Sequence, residues 1–342
     1  MFNGFMPKPN SMRARLRKAG IHHFDVPIHN QSKEWLIENF KGGASDYPVN
    51  ISKLMRNIVW QLREEILKKA KPPLHELIRT FWYMYIKPVL ARLDVLSSEI
   101  DQYGQLSSNI VSMVKEFNIM EYKNIGFRDD NQAYRRVGGN ANILLFSEKL
   151  GQQDFLSDMA EKYNISIIAL GGQPSVLNIE YFVDALRGAK INLKRSFYLF
   201  SIVDYDTSGW IIRDAFLDDL KFYGVSHTQV VDLVTPDMLT PEEVVLARFQ
   251  IPPSEAMRVK NKNWLAEVHK RNYQNQKFLE EEKSGKKILY GIESEAVSSQ
   301  RLALKLEQEM LPLIGQSEDL LKIFELKKLD QAIKDLIIFK VT

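Results

Sequence analysis

The sequence predicts a multi-domain α/β protein, a helical module followed by a parallel-sheet module. Three observations carry this. From Val49 to about Phe127 the apolar residues recur at helical spacing. From Asn142 onward, short apolar runs alternate with amphipathic stretches in the order β-α-β-α-β-α. That order demands a parallel sheet with helices on its faces. Between the two lies the polar segment Arg128–Asn140, whose Gly138-Gly139 pair marks a linker.

Taken in order, residues 1–48 are rich in Pro, Gly, Asn and His and read as an irregular arm. Ile51–Lys69 is an amphipathic helix. Pro72-Pro73 breaks the chain and opens a second helix, which runs to about Leu93 with a kink at Pro88. A third covers about Leu106–Phe117, and Tyr122–Phe127 is a short extended piece fit to be a wing. Helices followed by a short ribbon fit a winged helix-turn-helix, over residues 49–128, which lays one helix against DNA. Strands are expected at Asn142–Phe146, Ser166–Leu170 and Ser196–Val203, and helices at Asp154–Tyr163, Val176–Leu186 and Trp210–Tyr223. Pro253–Lys286 reads as a long charged helix, Lys287–Ile292 as a returning strand, and Ser298–Ile314 and Glu318–Ile337 as helices.

Composition narrows the class. With 342 residues, 45% hydrophobic and 26% charged, the chain is expected to be soluble and globular. No apolar run approaches the roughly 20 residues that span a bilayer, and no signal peptide is visible. The absence of cysteine excludes disulfides and zinc–thiolate sites, and it fits a reducing cytoplasm. A net charge of +3 does not by itself announce a nucleic-acid binder. Local basic runs can track phosphates: Lys8, Arg13, Arg15, Arg17 and Lys18, then Arg258, Lys260, Lys262, Lys270 and Arg271. The same runs serve equally as solvated faces.

Three carboxylates stand out. Glu148 closes the first strand, and Asp204 and Asp206 close the third, in Asp204-Tyr-Asp-Thr-Ser-Gly209. Ligands of open α/β sheets sit at the carboxyl ends of the strands. Side chains two apart on extended backbone point the same way, so Asp204 and Asp206 can share a metal. Oxygen-only donors suit Mg²⁺ beside phosphates. An Asp-x-Asp before a helix also serves simply as its cap.

One tyrosine completes the pattern. At a spacing of four, His75, Arg79, Tyr83 and Lys87 form a largely basic stripe, with Leu74, Leu77, Ile78, Phe81 and Met84 opposite. Cations beside a phenol favour the phenolate a nucleophile needs. Trp82 and Tyr85 read as packing residues, with Tyr85 the rival nucleophile. Tyr83 at the edge of a core, with Arg79 in a surface pair, is the plainer reading of the same helix.

Together these residues resemble the A subunit of topoisomerase VI and its relative, the meiotic double-strand-break transesterase. Arg79-Thr-Phe-Trp-Tyr83 is similar to that family's tyrosine motif and selects Tyr83 over Tyr85. Phe146-Ser-Glu148-Lys149, the turn Gly171-Gly-Gln-Pro174 and Asp204-Tyr-Asp-Thr-Ser-Gly209 resemble its Toprim motifs. Gly291-Ile-Glu-Ser-Glu-Ala296 resembles a later acidic segment, with Glu295 as the aligned acid. The likeness covers about residues 50–315; Thr207 replaces a usual Pro, and an Arg that often follows the glycine turn is missing from Ser175–Ile179. The resemblance implies a winged-helix domain carrying Tyr83, a Toprim domain over 140–315 and a C-terminal helix over 316–342. It implies Mg²⁺ on Glu148, Asp204 and Asp206, with Tyr83, Arg79 and Glu148 catalytic and His75, Lys87 and Lys149 touching double-stranded DNA. A homodimer would cut both strands, leaving 5′-phosphotyrosyl ends. The chain shows no nucleotide-binding loop, so ATP would need a separate GHKL-type ATPase subunit. Two rival classes remain: a Toprim nuclease that uses water and needs no Tyr83, and a DNA-binding subunit without chemistry.

Overall fold

The structure, a computed structural model, describes residues 11–22, 24–42, 47–128, 133–172 and 174–314. The expected C-terminal helix over 316–342, together with Lys8 and Gln173, lies outside the described residues. The protein is mixed α/β and divides into two compact units. One takes the chain through Ala133 together with Ser175–Ala185; the other takes Tyr134–Pro174 and the chain from Leu186 on.

The first unit is helical. Within the segment expected to be irregular, the described residues hold two helices, α1 (Met12–Lys18) and α2 (Lys33–Phe40), begun by Ser11 and Ser32, whose hydroxyls accept from Ala14 N and Trp35 N. The next helix, α3 (Ile51–Leu67), buries Leu54, Met55, Ile58, Val59 and Leu62 on one face. Two of its amides bind the incoming chain. Asn57 accepts from His22 N at 2.7 Å and donates to Gly20 O at 2.9 Å. Gln61 accepts from Ile28 N at 2.8 Å and donates to Val26 O at 2.6 Å. Backbone groups that short helices leave unmet are thus satisfied from α3.

The second expected helix is not continuous. Residues 74–77 are not helical and pair with 125–128: Leu74 N donates to Ile125 O at 2.9 Å and Arg128 N to Glu76 O at 2.8 Å. The helix starts only at Ile78, as α4 (Ile78–Phe81), widens into a π turn over Trp82–Ile86 and resumes as α5 (Lys87–Arg92). Pro88 supplies the reason. It has no N–H for the Met84 carbonyl, and its ring clashes with that carbonyl in a regular helix. Lys87 N instead reaches back to Trp82 O, five residues away. A π turn therefore stands where a kink was expected.

After α6 (Gln102–Lys115), capped by Asp101, the piece expected to be extended over Tyr122–Phe127 does not begin as a strand. Tyr122–Asn124 is a 3-10 turn. The buried Glu180 carboxylate accepts from Tyr122 N at 2.9 Å and Lys123 N at 2.8 Å, taking donors a ribbon would have used.

The second unit is built on a sheet. Its elements are β1 (Tyr134–Arg136), β2 (Asn140–Ser147), α7 (Gln153–Tyr163), β3 (Ile165–Ala169), β4 (Phe197–Ile202), α9 (Thr207–Phe222) and β5 (Thr228–Asp232); α8 (Val176–Gly188), between β3 and β4 in the chain, belongs to the first unit through Ala185. The strand order is β1-β3-β2-β4-β5. All neighbours are parallel except β1, which lies antiparallel on β3. The expected linker thus contains an edge strand. Gly138 is there for contact: a Cβ on it would come within 2.3 Å of Asn164 O.

The chain continues through α10 (Pro241–Ala247), β6 (Arg248–Gln250), α11 (Arg258–Arg271), β7 (Glu280–Lys283), β8 (Lys286–Ile292) and α12 (Ser299–Ile314). The long helix expected over Pro253–Lys286 is half that length. Asn272, in left-handed backbone at φ 51°, ends it. Ser284 and Gly285, both at positive φ, then turn a hairpin. Strands β6, β8 and β7 form a small antiparallel sheet. No helix among the described residues is long and apolar enough to cross a membrane.

A buried ion pair ties β5 to α9. Asp232 accepts two hydrogen bonds from Arg213 Nη1, both at 2.8 Å, and one from Ser201 Oγ at 2.7 Å. Arg271 of α11 adds a second guanidinium. Burial alone would raise the Asp232 carboxyl; Arg213, Ser201 and Arg271 hold it below the usual range. Asp232→Asn leaves two guanidiniums without their anion, and urea unfolding should show a loss on the order of 3–5 kcal/mol.

Candidate carboxylate site

The second unit brings Glu148 and Asp204 together because β2 and β4 are neighbours. Ser147 pairs with Ile202, so the residues following the two strand ends emerge side by side. Glu148 N donates to Ile202 O at 3.4 Å, and Asp204 N donates to Glu148 Oε1 at 3.3 Å. Asp206 follows at the head of α9, where its Oδ1 accepts from Gly209 N at 2.7 Å. The plain capping role of Asp206 is therefore real, and it holds that carboxylate in place.

Two close approaches fix the loop between them. A Cβ on Gly209 would sit 2.2 Å from Asp204 O, so only glycine lets α9 start this near the loop. Tyr205, between the aspartates, exchanges backbone hydrogen bonds with Ile292 at the end of β8: Tyr205 N to Ile292 O at 2.8 Å and the reverse at 3.3 Å. Its ring is 1% exposed, edge-on to Trp210, Trp264 and Tyr273. Trp210 in turn lies under the guanidiniums of Arg213 and Arg271, at 4.6 and 4.4 Å from its ring centroid. The Ile292 bridge carries Ser294 to the site, where Ser294 N donates to Asp204 Oδ1 at 2.8 Å. Sequence reasoning did not single out Tyr205 or Ser294. An aromatic between two aspartates, followed by Gly209, was the available signal for the first; no local signal marks the second.

Glu148, Lys149, Asp204, Ser208, Gly209 and the Gly171-Gly172 turn line a cavity of about 340 Å³. Glu148 is 6% exposed, and its Oε2 has no hydrogen-bond partner. Burial, and then the Asp204 charge, push the Glu148 carboxyl up to about 7. Burial would also raise Asp204, but the Ser294 N–H and the Lys149 ammonium hold it low. Asp206 is raised, by burial first, against the Gly209 N–H. The Lys149 ammonium lies 2.9 Å from Asp204 Oδ1 and is bonded to Glu295 Oε2. Among the described residues no three His, Asp or Glu side chains already form a cage for a cation.

In the first unit, Tyr83 is 53% exposed and lies in the π turn. The extra residue of that turn places Tyr83 and Met84 both outward, between buried Trp82 and Ile86, so Met84 is not on the apolar face as expected. Lys87 sits over the Tyr83 ring at 5.0 Å, while Arg79 lies over Tyr103 at 5.5 Å. His75 is not on the helix; it is in left-handed backbone at φ 53°, three residues before the helix begins. The basic stripe is thus reduced to Arg79, Tyr83 and Lys87. No protein-family model matches this chain, and no curated protein matches it.

Two outcomes test this geometry. The Tyr205 hydroxyl is buried without a partner, so Tyr205→Phe should melt within about 0.5 kcal/mol of wild type or above it, whereas Tyr205→Ala should lose about 3–5 kcal/mol. Glu148 has a folded pKa above its unfolded value, so its ionisation opposes folding as pH rises from about 4.5 to 7. Glu148→Gln should therefore melt higher than wild type at pH 7.5, and the gap should close as pH falls toward 4.5.

Proposed function

We propose that this protein is a Mg²⁺-dependent DNA-cleaving transesterase of the type IIB topoisomerase A kind, with a Toprim-like carboxylate site and Tyr83 as nucleophile. The observation that carries the reading is the buried, unpartnered Glu148 oxygen beside Asp204, in a cavity at the carboxyl edge of a parallel sheet. Packing does not explain a carboxylate so placed, because an unmet buried acceptor costs stability. A ligand that supplies positive charge or a donor does. The all-oxygen donor set suits Mg²⁺, which binds through one or two carboxylates plus substrate phosphates. Asp204 and Asp206 would hold it, with Glu148 joining them when ionised; when bound, Mg²⁺ supplies Lewis-acid charge to a phosphate oxygen.

The chain's own residues account for the rest. Tyr83 Oη forms a bond to phosphorus as the bond from phosphorus to the 3′ oxygen breaks. The phenol proton passes to solvent. The leaving 3′ oxygen takes a proton from Glu148, whose pKa of about 7 populates both forms near neutral pH. Lys87, over the Tyr83 ring, places positive charge near the phenol, and exposed Arg79 and His75 would meet the DNA backbone. The phosphotyrosyl link keeps the bond energy, so resealing needs no ATP. One tyrosine cuts one strand, so a double-strand break calls for a homodimer, and a gate driven by ATP would call for a separate GHKL-type subunit.

The test is cleavage of supercoiled plasmid with Mg²⁺, stopped with SDS and run with and without proteinase K. Wild type should give protein-linked 5′ ends, and Tyr83→Phe should lose at least about a thousandfold, as loss of a nucleophile does. Free ends made equally by both proteins would replace this reading with hydrolysis by water.

A further inference from the structure

We infer that Lys149 is a built-in counter-ion of the carboxylate site, which a divalent cation must displace to bind. The inference rests on the proposed cation site and concerns what occupies it beforehand. The Lys149 ammonium bridges Asp204 and Glu295, 2.9 Å from Asp204 Oδ1, on the wall of the cavity that Glu148 also lines. It shares that cavity with Glu148, whose Oε2 is buried and unpartnered.

Charge balance shows why the arrangement is provisional. Glu148, Asp204 and Asp206 carry three formal negative charges when ionised, and Glu295 adds another beside Lys149. One ammonium cannot neutralise them. A divalent cation relieves the excess more fully than the ammonium, since it brings twice the charge. Lys149 is also able to leave. Its side chain is 29% exposed, and a lysine is a point charge on a flexible stem that solvent readily takes back. Glu295, at 56% side-chain exposure, can follow it outward as partner. The framework that Lys149 leaves behind does not depend on it: Asp204 keeps Ser294 N, and Asp206 keeps Gly209 N. Lys149 thus sets the threshold of cation binding, balancing the Asp204 charge at low cation concentration and yielding as concentration rises.

The experiment is direct Mn²⁺ binding to the full chain without DNA, followed by calorimetry or by the loss of the free Mn²⁺ spin-resonance signal. Wild type, Lys149→Met, Lys149→Gln and each of these combined with Asp204→Asn are compared, with thermal melts to establish folding. Removing one positive charge within about 4 Å of the ion should tighten binding on the order of tenfold or more, and Asp204→Asn, which removes the carboxylate that Lys149 and the ion would share, should abolish the gain. Equal or weaker binding in either folded Lys149 variant overturns the inference and leaves the cation site standing. Tightening that survives Asp204→Asn also overturns it, because the ion is then elsewhere. If no folded protein in the set binds Mn²⁺, the cation site and the inference fall together.

Discussion

The second unit depends on one short backbone bridge. Tyr205 and Ile292 exchange hydrogen bonds, and that exchange joins the loop after β4 to the end of β8. Without it the small antiparallel sheet would have no fixed relation to the carboxylate edge. Ser294 would not reach Asp204, and Glu295 would not reach Lys149. The bridge can form only because the chain around it is exceptionally close. Gly209 admits the Asp204 carbonyl, and Gly291 admits Asp206, whose Cβ would lie 2.8 Å from an added methyl. The Tyr205 ring then fills the space behind the bridge against three other aromatics. Backbone pairing fixes direction, glycine permits approach, and the aromatic cluster excludes water from the back of the site.

That rigidity is needed because the front of the site is electrostatically unfavourable. Acids crowd the end of two parallel strands, one of them with a buried oxygen that nothing satisfies. Such a feature weakens the fold, and other interactions in the same unit must outweigh it. The Arg213–Asp232–Arg271 group is the clearest of these. It is also acidic and buried, yet every charge in it is answered, and its aspartate is held low where Glu148 is pushed high. The two acids differ in environment, not in kind. One is surrounded by guanidiniums and a hydroxyl; the other faces a like charge across a cavity. The acid proposed to be functional differs from the structural one on this ground.

The sheet and its carboxylates were legible in the sequence because buried parallel strands are written as continuous apolar runs. Asn142–Phe146 and Ser196–Val203 could be read directly, and the acids that follow them fell at predictable ends. β5 was missed because Thr228–Asp232 is mostly exposed or half-exposed and carries no such run. With it was lost Asp232, the hub of the ion-pair group. The hairpin over Glu280–Ile292 hid in a charged stretch that matched a helix in composition. Its only clue was Ser284-Gly285, a turn that takes its meaning from backbone at positive φ. Gly138-Gly139 read as a linker, since a glycine kept for flexibility and one kept for close approach look the same until the neighbouring backbone is in place.

The tyrosine helix shows the other limit of sequence periodicity. Spacing by four assumes an unbroken α-helix, and Pro88 breaks the assumption from downstream. The π turn it imposes inserts one residue into the repeat, so the buried face moves from Phe81 and Trp82 to Ile86, Val89 and Leu90. Tyr83 emerges at the point where the register slips. Its exposure follows from a lost hydrogen bond five residues later, and its nearest cation is the residue just before that proline. Composition around Tyr83 named the residue; the proline decided which way it faces. A substitution at Pro88 that restored the regular helix would keep Tyr83 and Lys87 four residues apart on one face but would turn both relative to the buried face that follows. The placement of the proposed nucleophile is therefore a property of the whole turn, and Arg79-Thr-Phe-Trp-Tyr83 is incomplete without Lys87-Pro88.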